Sequence, residues 1–564
     1  MSTLTELVGQ RCDRSGADGT GIDAMASKSL LHARLGRILP GLGFILVVSG
    51  CSVGPDFKQP SLWSPSSWLK HPADPAKVAR AGNRPAIVAS DVDPSPPDPS
   101  WWDIFHDPEL SALEARAAKT NLNVRLATIR LVESRAQLRV TGAARFPTLT
   151  GTASYSRTKI SDKEVQRALS DGVGGIPLGG TTGSAARAYA GSVTVPPIDL
   201  WQDGIDASWE LDLWGRVRRQ VESAKANLTV AVEDRRSVLI AQLAEVARDY
   251  MMLRGTQAQL AIALANQKTA EGAVTLTRQR FVGGLTTELD VQNALGQLDA
   301  TTAEIPNYEQ QAAQQINALS LLLGEPPEAL RAELQVPSAV PPIPLRVPVG
   351  VPSELARRRP DIREAEARLH AATASVGVAV ANFYPRVTLT GALNFQTLSF
   401  RDLAFWSAAA YNFGPTISLP IFEGGRLQGA LQLSKAQQQE AAISYQQTVL
   451  GAWHDVDNAL TAYAAEQRRH DQLQQSVQAA NRALVLATEQ YTTGLQTFLN
   501  VLDAQRTVLS AQQQLSASTT TESSNLVQLY TALGGGWEPT FPSANQAADG
   551  TIAAAKSPGA RAAL

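Results

Sequence analysis

Apolar positions along the chain follow two different periods, in separate stretches. Leu239, Leu243, Val246, Tyr250, Leu253, Leu260 and Leu264 step by 4, 3, 4, 3, 7 and 4, which is a heptad seam. No proline occurs from Ile198 to Ile305 or from Ile421 to Glu538. The spacing predicts a helix from about Gly215 to Arg280, roughly 100 Å long at 1.5 Å per residue. A globular core cannot hide such a rod, so it must pack along other long helices. Gln437–Gln439 and Gln512–Gln514 lie within apolar spacing of the same kind and read as solvated or closely packed helix faces.

Elsewhere the period is two. Leu149, Gly151, Ala153 and Tyr155 alternate with Thr148, Thr150, Thr152 and Ser154; Ile205, Ala207, Trp209, Leu211 and Leu213 alternate with Asp206, Ser208, Glu210 and Asp212. A later pair, Val387 to Phe395 and Ile417 to Ile421, repeats the pattern. Segments of about ten residues with one apolar and one polar face suit strands of an outer-membrane barrel, although a half-buried soluble hairpin has the same period.

Both patterns occur twice. Arg280-Phe-Val-Gly-Gly-Leu-Thr-Thr-Glu-Leu-Asp-Val291 parallels Gln490-Tyr-Thr-Thr-Gly-Leu-Gln-Thr-Phe-Leu-Asn-Val501 at an offset of 210, and Gly215-Arg216 parallels Gly425-Arg426 at the same offset. Upstream, Phe146-Pro147-Thr148 parallels Tyr384-Pro385-Arg386 at an offset of 238. The 28-residue difference reads as an extra segment in the second copy or a shorter connection in the first, although the first loop, about 158–190, is itself the longer. Internal duplication makes one architecture of a length that would otherwise suggest roughly three or four domains. Two strands per copy give four per chain, whereas bacterial barrels start at eight. Four strands in lipid leave open edges, so copies must associate; closure alone permits a dimer of eight strands or a trimer of twelve.

The amino terminus adds an address. Lys28, Arg34 and Arg37 precede the apolar run Gly43–Val48, too short to span a membrane, and Val48-Ser49-Gly50-Cys51 follows. This looks like the lipobox of bacterial lipoproteins, cut before the cysteine, with a buried cysteine after a strand as the plain alternative. Met25 is an alternative start. Gly50-Cys51-Ser52-Val53-Gly54 matches the G-x-S-x-G elbow in letters, but no strand–turn–helix pattern surrounds it. A Pro- and Ser-rich stretch to about Pro99 then reads as an extended arm lying along something else.

Composition mostly excludes. Among 564 residues, 50 Lys+Arg against 52 Asp+Glu give a net charge of −2, which rules out a bulk nucleic-acid binder. Two cysteines, Cys12 and Cys51, rule out a disulfide framework or a thiolate zinc site, and six scattered histidines show no metal spacing. No nucleophile, metal or phosphate-loop constellation supports an enzyme, and no resident cofactor is expected.

Four features together resemble one family. They are Cys51-Ser-Val-Gly-Pro-Asp-Phe-Lys-Gln-Pro60, Trp101-Trp-Asp-Ile-Phe-His-Asp107-Pro-Glu-Leu110, the duplicated Gly-Leu-x-Thr tips, and Ala532-Leu-Gly-Gly-Gly-Trp537. The chain resembles the TolC-like outer-membrane efflux channels, in their lipoprotein branch of the NodT type, over roughly residues 51–540. The resemblance implies an α+β membrane channel. In it, four transmembrane β-strands per chain close as a 12-stranded trimeric β-barrel above a long α-helical coiled-coil tunnel through the periplasm. Implied domains are a signal peptide (1–50), a lipidated arm (51–100), two efflux repeats (101–345 and 346–540) and a disordered tail (541–564).

The implied function is the outer-membrane channel of a tripartite efflux system for drugs, toxic compounds or metals. Implied partners are two further copies in a homotrimer, a periplasmic adaptor (membrane fusion) protein, an inner-membrane pump of the resistance–nodulation–division class, and outer-membrane lipids. Cys51 would carry diacylglycerol and palmitate. A channel for type I protein secretion and a non-conducting periplasmic lipoprotein scaffold are the alternatives.

Glycines at Gly283-Gly284 and Gly494 permit a tight reversal of each rod. In the resembling family these turns form the periplasmic entrance. Gly284, Leu285, Gly494 and Leu495 match its adaptor-contacting surface. An aspartate matching Asp290 bonds there to a tyrosine matching Tyr491, and aspartates matching Asp503 ring the constriction. Three acidic groups around a narrow pore favour cations; solvated helix-cap carboxylates are the plain alternative. Gln496 and Asn500 stand where a well-known member has an arginine and another aspartate, so a charged lock is absent and the acidic ring is thinner.

Overall fold

The computed structural model describes residues 52–60, 91–93, 95, 98–159, 161–163, 196–344, 346–350, 354, 358–403 and 405–538. The chain divides into two units, 1–50 and 51–564. The expected signal peptide, Cys51 and the tail 541–564 lie outside the described residues.

The described chain runs β1 (Asp91–Asp93), α1 (Pro108–Thr120), α2 (Leu122–Ala143), β2 (Thr148–Thr158), β3 (Ile198–Leu211), α3 (Arg216–Val282) and α4 (Glu288–Leu322). After a short α5 (Arg331–Leu334) and β4 (Arg346–Pro348) come α6 (Pro360–Ala381), β5 (Arg386–Thr397), β6 (Ala409–Ser418), α7 (Arg426–Thr492) and α8 (Phe498–Leu533). A 3-10 turn, Trp101–Phe105, precedes α1. The starts and ends of α3 and α7, both 67 residues long, differ by 210 positions. Those of α2 and α6 differ by 238.

The change of offset falls in the hairpins: Thr158 to Ile198 in the first against Thr397 to Ala409 in the second, longer by 28 residues in the first. An added segment in the second copy is therefore corrected to a longer hairpin connection in the first. An offset falls along a chain only where the earlier copy holds more residues.

The heptad seam is buried from Leu239 to Leu253 and then fails, since Leu260 is half-buried and Leu264 exposed. The seam lasts as far as α3 packs in the main core, where it meets Tyr445, Val449 and Val456 of α7 and Leu526 and Tyr530 of α8. Beyond it the buried stripe moves to Ala263, Ala270 and Ala273, small residues that let neighbouring helices approach closely. Trp101 stacks on Tyr530 at 5.7 Å in the same core. Asp107 caps α1 through the amides of Glu109 and Leu110 and accepts the Tyr250 hydroxyl at 2.7 Å. The Trp101–Leu110 motif thus ties the start of the body to the middle of the rod. α4 continues through Pro306, which leaves the Thr302 carbonyl without its helical donor.

Two sheets form. β1 pairs in parallel with β4, and β2-β3-β5-β6 make a four-stranded antiparallel sheet in that order. β3 and β6 begin earlier than the alternation predicts and also end earlier, because Leu213, Leu419 and Ile421 lie past their ends. At β3 the cause is Asp212, whose carboxylate turns back to accept the amides of Val217 and Arg218 at the start of α3. At β6 it is Pro420, which has no N–H to continue a ladder.

Candidate functional site: membrane sheet, arm and tunnel tips

The register of the four-stranded sheet sorts its side chains. Ile205 faces Gly151 and Leu393, and Leu393 faces Tyr411; Trp209 faces Leu389, which faces Pro415. The alternate rows are polar: Thr148, Ser208, Thr390 and Gly414 lie in one line across all four strands. One face is therefore apolar from edge to edge and the other polar, which suits oil on one side and water on the other. Asp203, between Ala153 and Phe395, is an exception on the apolar face.

Aromatic groups mark the two ends of this face. Trp201 packs on Tyr155 at 4.3 Å and Phe400 at 4.9 Å; at the opposite end Trp214 stacks on Tyr384 at 4.9 Å, and Trp209 Nε1 donates to the Arg145 carbonyl at 3.0 Å. From Trp201 to Trp209 an extended strand covers about 26 Å, close to the height of the apolar band of an outer-membrane barrel. Among the described residues no helix is long and apolar enough to cross a membrane.

At the helix end of the sheet lies the arm. Val53 N donates to the Trp214 carbonyl at 3.1 Å, and a side chain on Gly215 would meet Ser52. Arg219 of α3 is buried beneath the arm and donates to Asp56 at 2.6 Å and Glu222 at 2.8 Å. Glu222 also bonds His370 Nε2 at 3.0 Å, and Phe57 stacks on that imidazole at 4.5 Å. Burial opposes charge on Glu222, but its bonds to His370 and Arg219 outweigh it and lower the carboxyl pKa. Gly54 has φ +93°, and a Cβ there would lie 2.5 Å from the Gly377 Cα. The Gly-Pro-Asp-Phe motif is thus a clasp holding the arm on α3 and α6. The sequence showed the motif but not Arg219, its partner 163 positions away.

The long helices reverse at two tips of the same build. Leu285 N donates to the Arg280 carbonyl at 2.8 Å and Leu495 N to the Gln490 carbonyl at 2.9 Å, over Gly284 at φ +71° and Gly494 at φ +80°. These are Schellman closures, which need a left-handed residue before the apolar one. They leave Leu285 and Leu495 68% and 76% exposed.

The gate residues are arranged differently from the expectation. Asp290 accepts from the Thr286 hydroxyl, four residues back, rather than from Tyr491. Tyr491 is buried at 3% exposure against Phe498, its hydroxyl without a hydrogen-bond partner. The expected Asp290–Tyr491 bond is not made within one chain, where a nearer hydroxyl, just before the cap of α4, satisfies the carboxylate. Asp503 is exposed on α8, and Gln496 and Asn500 hydrogen-bond to each other. Unforeseen was Arg280, whose Nη1 donates to the Thr492 carbonyl at 2.9 Å with Cζ 4.7 Å from the Tyr491 ring centre. Its signal was the mismatch between the copies, arginine where the second has Gln490.

Higher on the rod, Glu522 of α8 is buried near Glu466 and Asp471, and burial first, then these carboxylates, push its pKa up to about 7. The folded state therefore holds this proton, and its stabilising contribution is lost as pH rises from the ordinary value of 4.5 through about 7. Melting temperature is expected to rise on going from about pH 8 to about pH 5, with Glu522→Gln raising it at the alkaline end and flattening the slope. An unchanged slope in Glu522→Gln would refute the assignment. No group of three or more metal-ligating side chains occurs among the described residues.

Against known proteins, the profile of the outer membrane efflux protein family matches residues 113–325 and 351–535. The chain belongs to the outer membrane efflux protein family. It is 32% identical over 504 residues to the toluene efflux pump outer membrane protein TtgC of Pseudomonas putida, covering 89% of this chain and 96% of that one. It is 29% identical over 500 residues to the probable outer membrane lipoprotein SilC of Salmonella typhimurium, covering 88% and 98%. The solved outer-membrane channel OprN superposes with a TM-score of 0.74 at 33% identity, covering 87% of this chain and all of that one. The protein is thus an outer-membrane channel of a tripartite efflux system, with the mostly helical TolC-like fold. Its family is one of channels, not enzymes.

Proposed function

We propose that three copies of the chain close one twelve-stranded barrel in the outer membrane above a common α-helical tunnel, passing small molecules outward. The observation that carries this is the sheet order β2-β3-β5-β6, with β2 and β6 at open edges and a continuous apolar face. Hydrocarbon does not tolerate unpaired strand edges, and four strands are too few to close. Twelve rather than eight follows the family resemblance. The two family matches and the recurring element offsets support an internal duplication, with repeats at 101–345 and 346–540.

Cys51 is the proposed site of diacylglycerol and palmitate. Ser52, next in the chain, packs at Gly215 beside the Trp214–Tyr384 end of the sheet, where a lipid would enter the inner leaflet, and SilC is named a lipoprotein. The exposed Gly284-Leu285 and Gly494-Leu495 tips are the proposed contact for a periplasmic adaptor. Through it the channel would serve a resistance–nodulation–division pump. Asp290, Tyr491 and Asp503 are the proposed gate, with Asp290 and Tyr491 acting through neighbouring chains rather than through each other in one chain. Native mass spectrometry of the detergent-purified protein is expected to give three chains per particle, and planar bilayers a small cation-selective conductance. Two chains per particle, or an inserted oligomer that conducts nothing, would overturn the reading.

A further inference from the structure

We infer that Arg280 is the latch that holds the α7–α8 hairpin against the α3–α4 hairpin within each chain, and that the channel widens only when it lets go. The inference rests on the reading of the tips as the gate and adds a residue to it. Arg280 sits in the last turn of α3, yet its guanidinium reaches the end of α7. The carbonyl it meets belongs to Thr492, the last residue of α7. The final carbonyls of a helix have no intrahelical donor and lie at the negative end of its dipole, so a cation is doubly favoured there. The same guanidinium lies over the Tyr491 ring, and this cation–π contact adds to the hydrogen bond.

Among the described residues the tips also pack through Ala273, Val274 and Ala294 against Tyr491, Phe498 and Val501, but no other polar side chain ties one tip to the other. Asp290 is engaged by Thr286 in the turn just before its own helix, and Gln496 and Asn500 engage each other. The next polar tie between the hairpins is Arg506 to Gln297 at 2.9 Å, two turns farther along α4 and α8. The latch is one-sided, because the second copy carries Gln490 where the first carries Arg280. Separating the hairpins at their tips must therefore break the Arg280–Thr492 bond first and expose Tyr491.

The test is single-channel recording of the full-length assembled protein in planar bilayers. Arg280→Ala is expected to raise the open-to-closed ratio about tenfold, equivalent to about 1.4 kcal/mol. Arg280→Lys should fall between, since an ammonium still reaches the carbonyl but lacks the planar group that covers the ring. Assembly is checked by native mass spectrometry. If Arg280→Ala fails to assemble, Arg280→Gln, which installs the residue found at the same place in the second copy, carries the same expectation. Wild-type gating in the assembled variant overturns the latch. A rise in Asp290→Ala/Tyr491→Phe would then keep the gate at the tips, and no rise in any variant would overturn both readings.

Discussion

An arginine at Leu393 is expected to destabilise the inserted assembly by about 2–4 kcal/mol per chain, whereas an arginine at Asn394 leaves it close to wild type. The two residues are adjacent in β5 but point to opposite faces. Leu393 lies opposite Ile205 and Tyr411 on the apolar face, midway between the Trp201 and Trp209 ends. A guanidinium there sits near the bilayer midplane, where it costs most. Asn394 lies opposite Gly204 and Ala410, on the face that carries the threonines. Urea unfolding of the protein reconstituted in lipid would read the difference. Equal effects from the two substitutions would mean that the sheet does not separate lipid from water.

The second large effect is expected at Gly54. Gly54→Ala should cost about 3 kcal/mol, from a strained left-handed backbone together with overpacking. The clash is with backbone, the Gly377 Cα at 2.5 Å, so no side chain can rotate away from it. Release of the arm should follow: Asp56 leaves Arg219 and Phe57 leaves His370, exposing a stretch that limited proteolysis would cut. Gly272→Ala in α3 is the control. Nothing lies within 4 Å of a Cβ there, and alanine in a helix interior should stabilise by up to about 1 kcal/mol. An arm that stays protected in Gly54→Ala would show that the clasp is not what holds it.

Much of the architecture was legible because its signals are periodic and local. A proline-free heptad run defines a long helix whatever it packs against, and the helix expected from Gly215 to Arg280 runs from Arg216 to Val282. Strict alternation marked the four strands, but not their ends. Those are set by a carboxylate turning back at Asp212 and by a proline one residue beyond Leu419. Leu264 was misassigned to the buried seam for a related reason. Periodicity tells which side of a helix is apolar, but burial depends on what stands beside it, and at that height the main core has ended.

The tips show the same division more sharply. Gly284 and Gly494 marked the reversals because a left-handed turn has few solutions. The partners of Asp290 and Tyr491 could not be read that way, since a side chain bonds to whichever group the fold brings nearest. By itself, then, the sequence determined the long helices, the strand faces and the paired tips, all properties of neighbouring residues. Only the tertiary structure decided that Arg219 grips an arm 163 positions away, and that Arg280 meets Thr492 across 212. Such pairs carry no local periodicity, and they exist only once helices distant in the chain lie side by side.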